Sequence, residues 1–95
     1  MDNKYYIIRG ESSGVFFGEI AERNGREVTI NECRRLWYWD GAASLSQIAN
    51  EGVNRPNNCK FTVTVDTLTV LDAIELIPCT GKAVEVIKAV PEWKR

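Results

Sequence analysis

GEIAERNGREVTIN, Gly18 to Asn31, decides the fold class. Asn24-Gly25 sits between two runs that favour extended backbone, and both residues tolerate positive φ at low cost. The stretch therefore predicts a β-hairpin with a two-residue turn. On its second arm Glu27, Thr29 and Asn31 alternate with Val28 and Ile30, the pattern of a strand with one wet face. Upstream, Tyr5 to Ile8 is a short β-favouring run that stops at Gly10, and Ser12-Ser13-Gly14 reads as a turn. Val15 to Ile20 then carries a strand into the hairpin. Downstream, Arg34 to Asp40 has no helical apolar period and is expected to stay extended, since Leu36, Trp37, Tyr38 and Trp39 all favour strands.

The pattern changes at Ser44. Ser44-Leu45-Ser46-Gln47 matches a capping box, in which the Ser44 hydroxyl accepts from the third helical amide and Gln47 reaches back to the cap's own amide. Leu45, Ile48 and Ala49 share a face, and Gly52 ends the helix after about two turns, too short to stand without packing. Asn54 to Asn58 is a polar loop. Phe61, Val63 and Val65 alternate with Thr62, Thr64 and Asp66 as an amphipathic strand, Asp66-Thr67 reads as a turn, and Val70 to Ile77 as a further strand ended by Pro78. Thr80 caps a last helix, with Ala83, Val84, Ile87 and Val90 on one face and Lys82, Glu85 and Lys88 on the other. Trp93 is expected to anchor the tail by packing. The sum is one α+β domain over residues 1–95: five to six mostly antiparallel strands, as a small sheet or barrel, with two short helices.

Bulk composition narrows the function. The chain has 95 residues, 44% hydrophobic and 26% charged, which is ordinary globular composition and argues against disorder or a fibrous repeat. A net charge of -1 and a pI near 5.4 remove the attraction that coating duplex DNA requires. Cys33, Cys59 and Cys79 are odd in number and widely spaced, so they read as buried thiols in a reducing cytoplasm rather than a disulfide framework. The N-terminus, MDNKYYIIRGE, has too short an apolar run for a signal peptide, and no stretch approaches the ~20 apolar residues of a membrane span. The sequence contains no histidine. That removes histidine general-base chemistry, Ser-His triads and histidine metal sites, and neither a phosphate-binding glycine loop nor a calcium loop is present. The expectation is a protein that is not an enzyme and needs no cofactor or metal.

The candidate binding residues lie between Arg34 and Gln47. In an unbroken strand Arg35, Trp37 and Trp39 share a face, with the two indoles about 6.5–7 Å apart, and each can offer a ring to a planar group. Arg34, Leu36, Tyr38 and Asp40 take the other face. Gly41 lets backbone approach closely, and Ser44 and Ser46 with Gln47 surround a helix start whose amides favour an anion. Rings followed by an anion pocket suit a nucleotide. The same tryptophans can instead fill a core or an oligomer seam, Ser44 and Gln47 can be caps and nothing more, and Arg34 and Arg35 can be solvated or paired to carboxylates. Two stacks and two charge-assisted bonds supply about 5–12 kcal/mol before ordering costs, whereas nanomolar binding needs about 12. A tight site therefore favours residues from two subunits.

RRLWYWDGAASLSQIANEG, followed by NNCKFTVTVDTLTVLDAIELIPCT, resembles a family of small proteins encoded by bacteriophages and prophages and known as a domain of unknown function. The similarity runs from about Tyr5 to Lys88, with WYWDGA(A/C)SLSQ as its core. The chain is also similar to the anti-CBASS sponge proteins, small oligomers that sequester cyclic nucleotide immune signals such as cyclic GMP-AMP without cleaving them. That resemblance implies a homo-oligomer, tetramer or dimer, acting in the cytoplasm of an infected bacterial host, with pockets between subunits. It carries over no contact residue. Two other readings of the aromatic strand remain: an inhibitor that grips a host defence protein, and a small single-stranded nucleic-acid-binding module.

Overall fold

The computed structural model describes residues 4–95. Met1 to Asn3, the start of the stretch read as no signal peptide, lie outside the described residues. Strands β1 (Tyr5–Gly10), β2 (Val15–Asn24) and β3 (Glu27–Tyr38) come first, followed by helix α1 (Leu45–Glu51) and a single 3-10 turn (Pro56–Asn58). Strand β4 (Lys60–Val70), strand β5 (Ala73–Pro78) and helix α2 (Gly81–Ala89) complete the order. The five strands form one sheet, ordered β4-β3-β2-β1-β5, in which every neighbouring pair is antiparallel. This is the expected α+β architecture.

Two local expectations shift. In the β2–β3 hairpin Asn24 pairs with Glu27, so the two loop residues are Gly25 and Arg26, one position later than Asn24-Gly25. Of these only Gly25 has positive φ, at 64°, which is the pattern of a type II′ turn with glycine leading. Asp66-Thr67 does not turn the chain: Val65 pairs with Cys33 and Thr67 with Asn31, so the ladder to β3 runs straight through. Both side chains are exposed, and an edge strand tolerates a charge there without cost. The turn falls at Leu71-Asp72 instead.

That turn explains the shape of the sheet. Strands β4 and β5 are its opposite edges, yet only Leu71 and Asp72 separate them in sequence, so the sheet rolls until its edges meet at that corner. Ala73 N donates to Arg26 O at 2.9 Å and Glu11 N to Asp72 O at 2.9 Å, pinning the corner to the β2–β3 hairpin tip and to the β1–β2 turn. Bulges supply the curvature. Opposite Gly18 the strand β3 has two residues, Glu32 and Cys33, and Glu32 takes φ 51°. A Cβ on Gly18 would fall 2.8 Å from the Asn31 carbonyl oxygen, so only glycine fits beneath the bulge.

The roll creates two cores. On the concave face Ile8, Phe16, Val28, Ile30, Cys33, Val70 and Ala73 close on one another with no helix contributing. On the convex face Ile7, Phe17, Leu36 and Phe61 meet Ile48 and Ala49 of α1 and Ala83 and Ile87 of α2. Paired apolar residues such as Ile7-Ile8 and Phe16-Phe17 thus serve both cores, because successive side chains of a strand point to opposite faces. Each such side chain, fully buried, contributes about 1.5–3 kcal/mol. Thr80 caps α2 by accepting from Ala83 N at 3.1 Å, and its hydroxyl donates to Asn50 O at 2.7 Å, which ties the start of α2 to the end of α1.

Candidate functional site

The two arginines at the head of the aromatic run have separate fates. Arg34 is 3% exposed, on the helix side of the sheet. Its Nε donates to Thr62 O at 2.8 Å, its Nη1 to Ile87 O at 2.7 Å, and its Nη2 to Val90 O at 2.6 Å and Phe61 O at 3.4 Å. The guanidinium also lies 5.5 Å from the Phe61 ring centroid. The Ile87 carbonyl, which also accepts from Val90 N at 3.2 Å, and the Val90 carbonyl lie at the end of α2, so Arg34 caps that helix and fastens it to β4. Burial pushes its pKa below the ordinary value, opposed by the nearby Glu92 carboxylate. Arg35 points the other way, its guanidinium 4.5 Å over the ring of Phe16 on the concave side.

The tryptophans are not a pair on one face. Between Leu36↔Phe61 and Tyr38↔Lys60 the strand β3 holds one residue more than β4, and that residue is Trp37. The bulge breaks the alternation that would have aligned Arg35, Trp37 and Trp39, and β3 ends at Tyr38. Trp39 consequently packs against the helix-side core. Trp37, 63% exposed, meets Trp93 instead: the rings lie 6° from parallel with centroids 6.3 Å apart. The tail is fixed for this contact by a parallel bridge from Glu92 to Phe61 and by Trp93 N donating to Phe61 O at 2.8 Å. Lys60 Nζ sits 5.5 Å from the Trp93 ring centroid, and Tyr38 is exposed beside them in the strand. The result is a ledge of exposed aromatic surface with one cation, built from β3, β4 and the tail.

The segment after the ledge is held by its own polar groups. Asp40 accepts from Asn58 Nδ2 at 2.7 Å and faces Arg55 Nη1 at 3.8 Å. Gly41, at φ 90°, accepts from Asn54 N at 3.1 Å, and a Cβ there would fall 2.7 Å from the Asn54 and Arg55 amides. Together these close the loop that carries α1. Ser44 Oγ accepts from Gln47 N at 3.2 Å, while Gln47 Oε1 accepts from Ala43 N at 2.8 Å, one residue upstream of the cap's own amide. Ser46 is exposed. With seven residues, α1 offers a short dipole, and Ser44 and Gln47 are engaged in capping its start. Of the nine candidate residues, only Trp37 lies on the ledge. Tyr38, Lys60 and Trp93 complete it, and the sequence signal that could have brought Trp93 there is its position beyond Pro91, which stops α2 from extending and frees the tail to return along β4.

The three thiols are buried and none of them forms a disulfide. Burial pushes Cys33 up to about 11 and Cys79 up to about 12, so neither offers a thiolate near neutrality. Among the described residues no group of three or more His, Cys, Asp or Glu side chains is placed to hold a metal ion, and no helix is long and apolar enough to cross a membrane.

Fold and surface together define a small α+β protein with a rolled antiparallel sheet and an aromatic ledge at its β3–β4 margin. The chain belongs to the family DUF6948, a domain of unknown function, whose model matches residues 3–87. Trp37 falls inside the match and Trp93 beyond it. No curated protein and no solved structure matches the chain.

Proposed function

We propose that the protein is a non-catalytic binding protein that holds a nucleotide on the Trp37–Trp93 ledge. In its sharpest form it is a phage counter-defence protein that sequesters a cyclic nucleotide immune signal, such as cyclic GMP-AMP, without cleaving it. The observation that carries this reading is the exposure of two near-parallel indoles beside a lysine, at 63% for Trp37 and 37% for Trp93. A chain with two closed cores has no packing need for them there. A base stacked on an exposed indole gains about 1–3 kcal/mol, and Lys60 is placed to meet a phosphate. One such ledge binds weakly, so tight sequestration calls for a second copy of the chain, in a dimer or tetramer, to cover the other face of the ligand.

The test is calorimetric titration of the folded protein with a panel of cyclic mono- and dinucleotides. Saturable binding that disappears in Trp37→Ala supports the reading, and no heat with any of them at high micromolar ligand sinks it. A second reading, an inhibitor of a host defence protein, draws on the edge strand β4, where Val63 and Val65 are exposed beside an open row of backbone groups. A purified target that binds without nucleotide and is released by Val65→Lys distinguishes it.

A further inference from the structure

Arg35 is a half-buried cation that the chain leaves unfinished. Its Nη1 donates to Ser13 O at 2.7 Å, and its plane is backed by Phe16. Among the described residues Nε and Nη2 have no hydrogen-bond partner and no carboxylate lies within 4.0 Å of the guanidinium. Those two N–H groups form one edge of the planar fork, the edge that matches the two oxygens of a carboxylate. Arg35 lines a cleft of about 450 Å³ between the β1–β2 turn and the β4–β5 corner, walled by Thr69, Val70 and Leu71. A volume of this order suits a small molecule. Leu71 is 72% exposed, an apolar wall that the chain itself does not cover.

Asp72 lines the same cleft but is committed elsewhere. Its carboxylate accepts from Ser12 N at 2.8 Å, from Ser13 N at 3.2 Å and from the Ser13 hydroxyl, so it fastens the turn and leaves Arg35 without a counter-ion. Gly14, at φ 113°, shapes that turn beside the guanidinium.

We propose that this cleft is a second ligand site, separate from the ledge, and that its occupant is a small monocarboxylate with an apolar body, held through the free Nε–Nη2 edge of Arg35. One cation calls for one negative charge, and the Asp72 carboxylate at the rim disfavours a dianion such as phosphate. The body of the acid lies against Val70 and Leu71. The carboxylate can come from a free acid or from the C-terminus of a peptide that ends in an apolar residue.

The test follows the Arg35 Nε–H signal of ¹⁵N-labelled protein by NMR during titration. The probes are 3-phenylpropionate, 3-phenylpropanamide, inorganic phosphate and a tetrapeptide ending in a free phenylalanine carboxylate. The acid is expected to saturate with Kd of about 0.1–1 mM, and the amide and phosphate to bind at least about tenfold more weakly. Tighter binding of the tetrapeptide identifies a peptide terminus as the source, and tighter binding of 3-phenylpropionate a free acid. Leu71→Glu, at an exposed position, keeps the wild-type melting temperature and loses the acid by about tenfold or more. The proposal is overturned if neither the acid nor the peptide saturates by about 10 mM, if the amide binds as well as the acid, or if Leu71→Glu binds unchanged.

Discussion

Replacing Arg34 by methionine is expected to cost the fold about 2–4 kcal/mol, although the position reads in sequence as a ligand contact. The side chain gives up three short bonds from a charged donor, to Thr62 O at 2.8 Å, Ile87 O at 2.7 Å and Val90 O at 2.6 Å, and a longer one to Phe61 O at 3.4 Å. Bonds of this kind contribute about 1.5–3 kcal/mol each. Against the loss stands the desolvation that methionine no longer suffers, several kcal/mol for a buried ion. It leaves its mark in a guanidinium pKa pushed below its ordinary value, chiefly by burial. In a domain of this size 1 kcal/mol moves Tm by about 4–8 °C, so a fall of roughly 10–30 °C is expected. Thermal and urea denaturation followed by circular dichroism measure it, and Arg34→Lys should fall between, since one ammonium cannot reach carbonyls on both β4 and α2. A Tm for Arg34→Met within about 2 °C of wild type would refute the idea that this arginine fastens α2 to the sheet.

Trp39→Ala removes a partly buried ring from the helix-side core and should lower stability by about 1.5–3 kcal/mol, less than the 3–5 of a fully buried ring, as read from the urea midpoint. Gly18→Ala drives a methyl group against the Asn31 carbonyl and the Ile30 side chain beneath the β3 bulge, and should cost about 2–3 kcal/mol. A Gly18→Ala protein as stable as wild type would show that the bulge is free to relax. Asp72 is held below its ordinary pKa of 3.8, first by the Ser13 hydroxyl and then by the Ser12 amide. A lowered folded value means stabilisation fully present above the unfolded pKa and lost as pH falls through the folded one. Stability measured below about pH 4 should therefore drop more steeply in wild type than in Asp72→Asn.

What the sequence disclosed follows from which interactions are local. The β2–β3 hairpin, the caps at Ser44 and Thr80 and the apolar faces of α1 and α2 depend on residues within four positions of one another, and they form as expected, with the hairpin turn one residue later. The ledge was misread because it depends on an event that alternation does not encode. One bulge at Trp37 turns Trp39 into the core and leaves Trp37 to a partner 56 residues later in the chain. The bonds of Arg34 were not legible for a related reason, since its four carbonyls come from β4 and the end of α2, far from it in sequence. The Asp66-Thr67 turn failed because polar residues on an edge strand look like turn residues when only the neighbours in sequence are considered.

The most direct measurement of the central claim is intrinsic tryptophan fluorescence during titration with cyclic GMP-AMP, run on wild type and on Trp37→Ala. The ledge reading predicts saturable quenching in wild type, its loss in Trp37→Ala, and melting temperatures for the two proteins within about 3 °C, because a ring 63% exposed contributes little to the cores. Quenching that survives in folded Trp37→Ala, or a wild-type protein that shows none with any cyclic nucleotide, would contradict it.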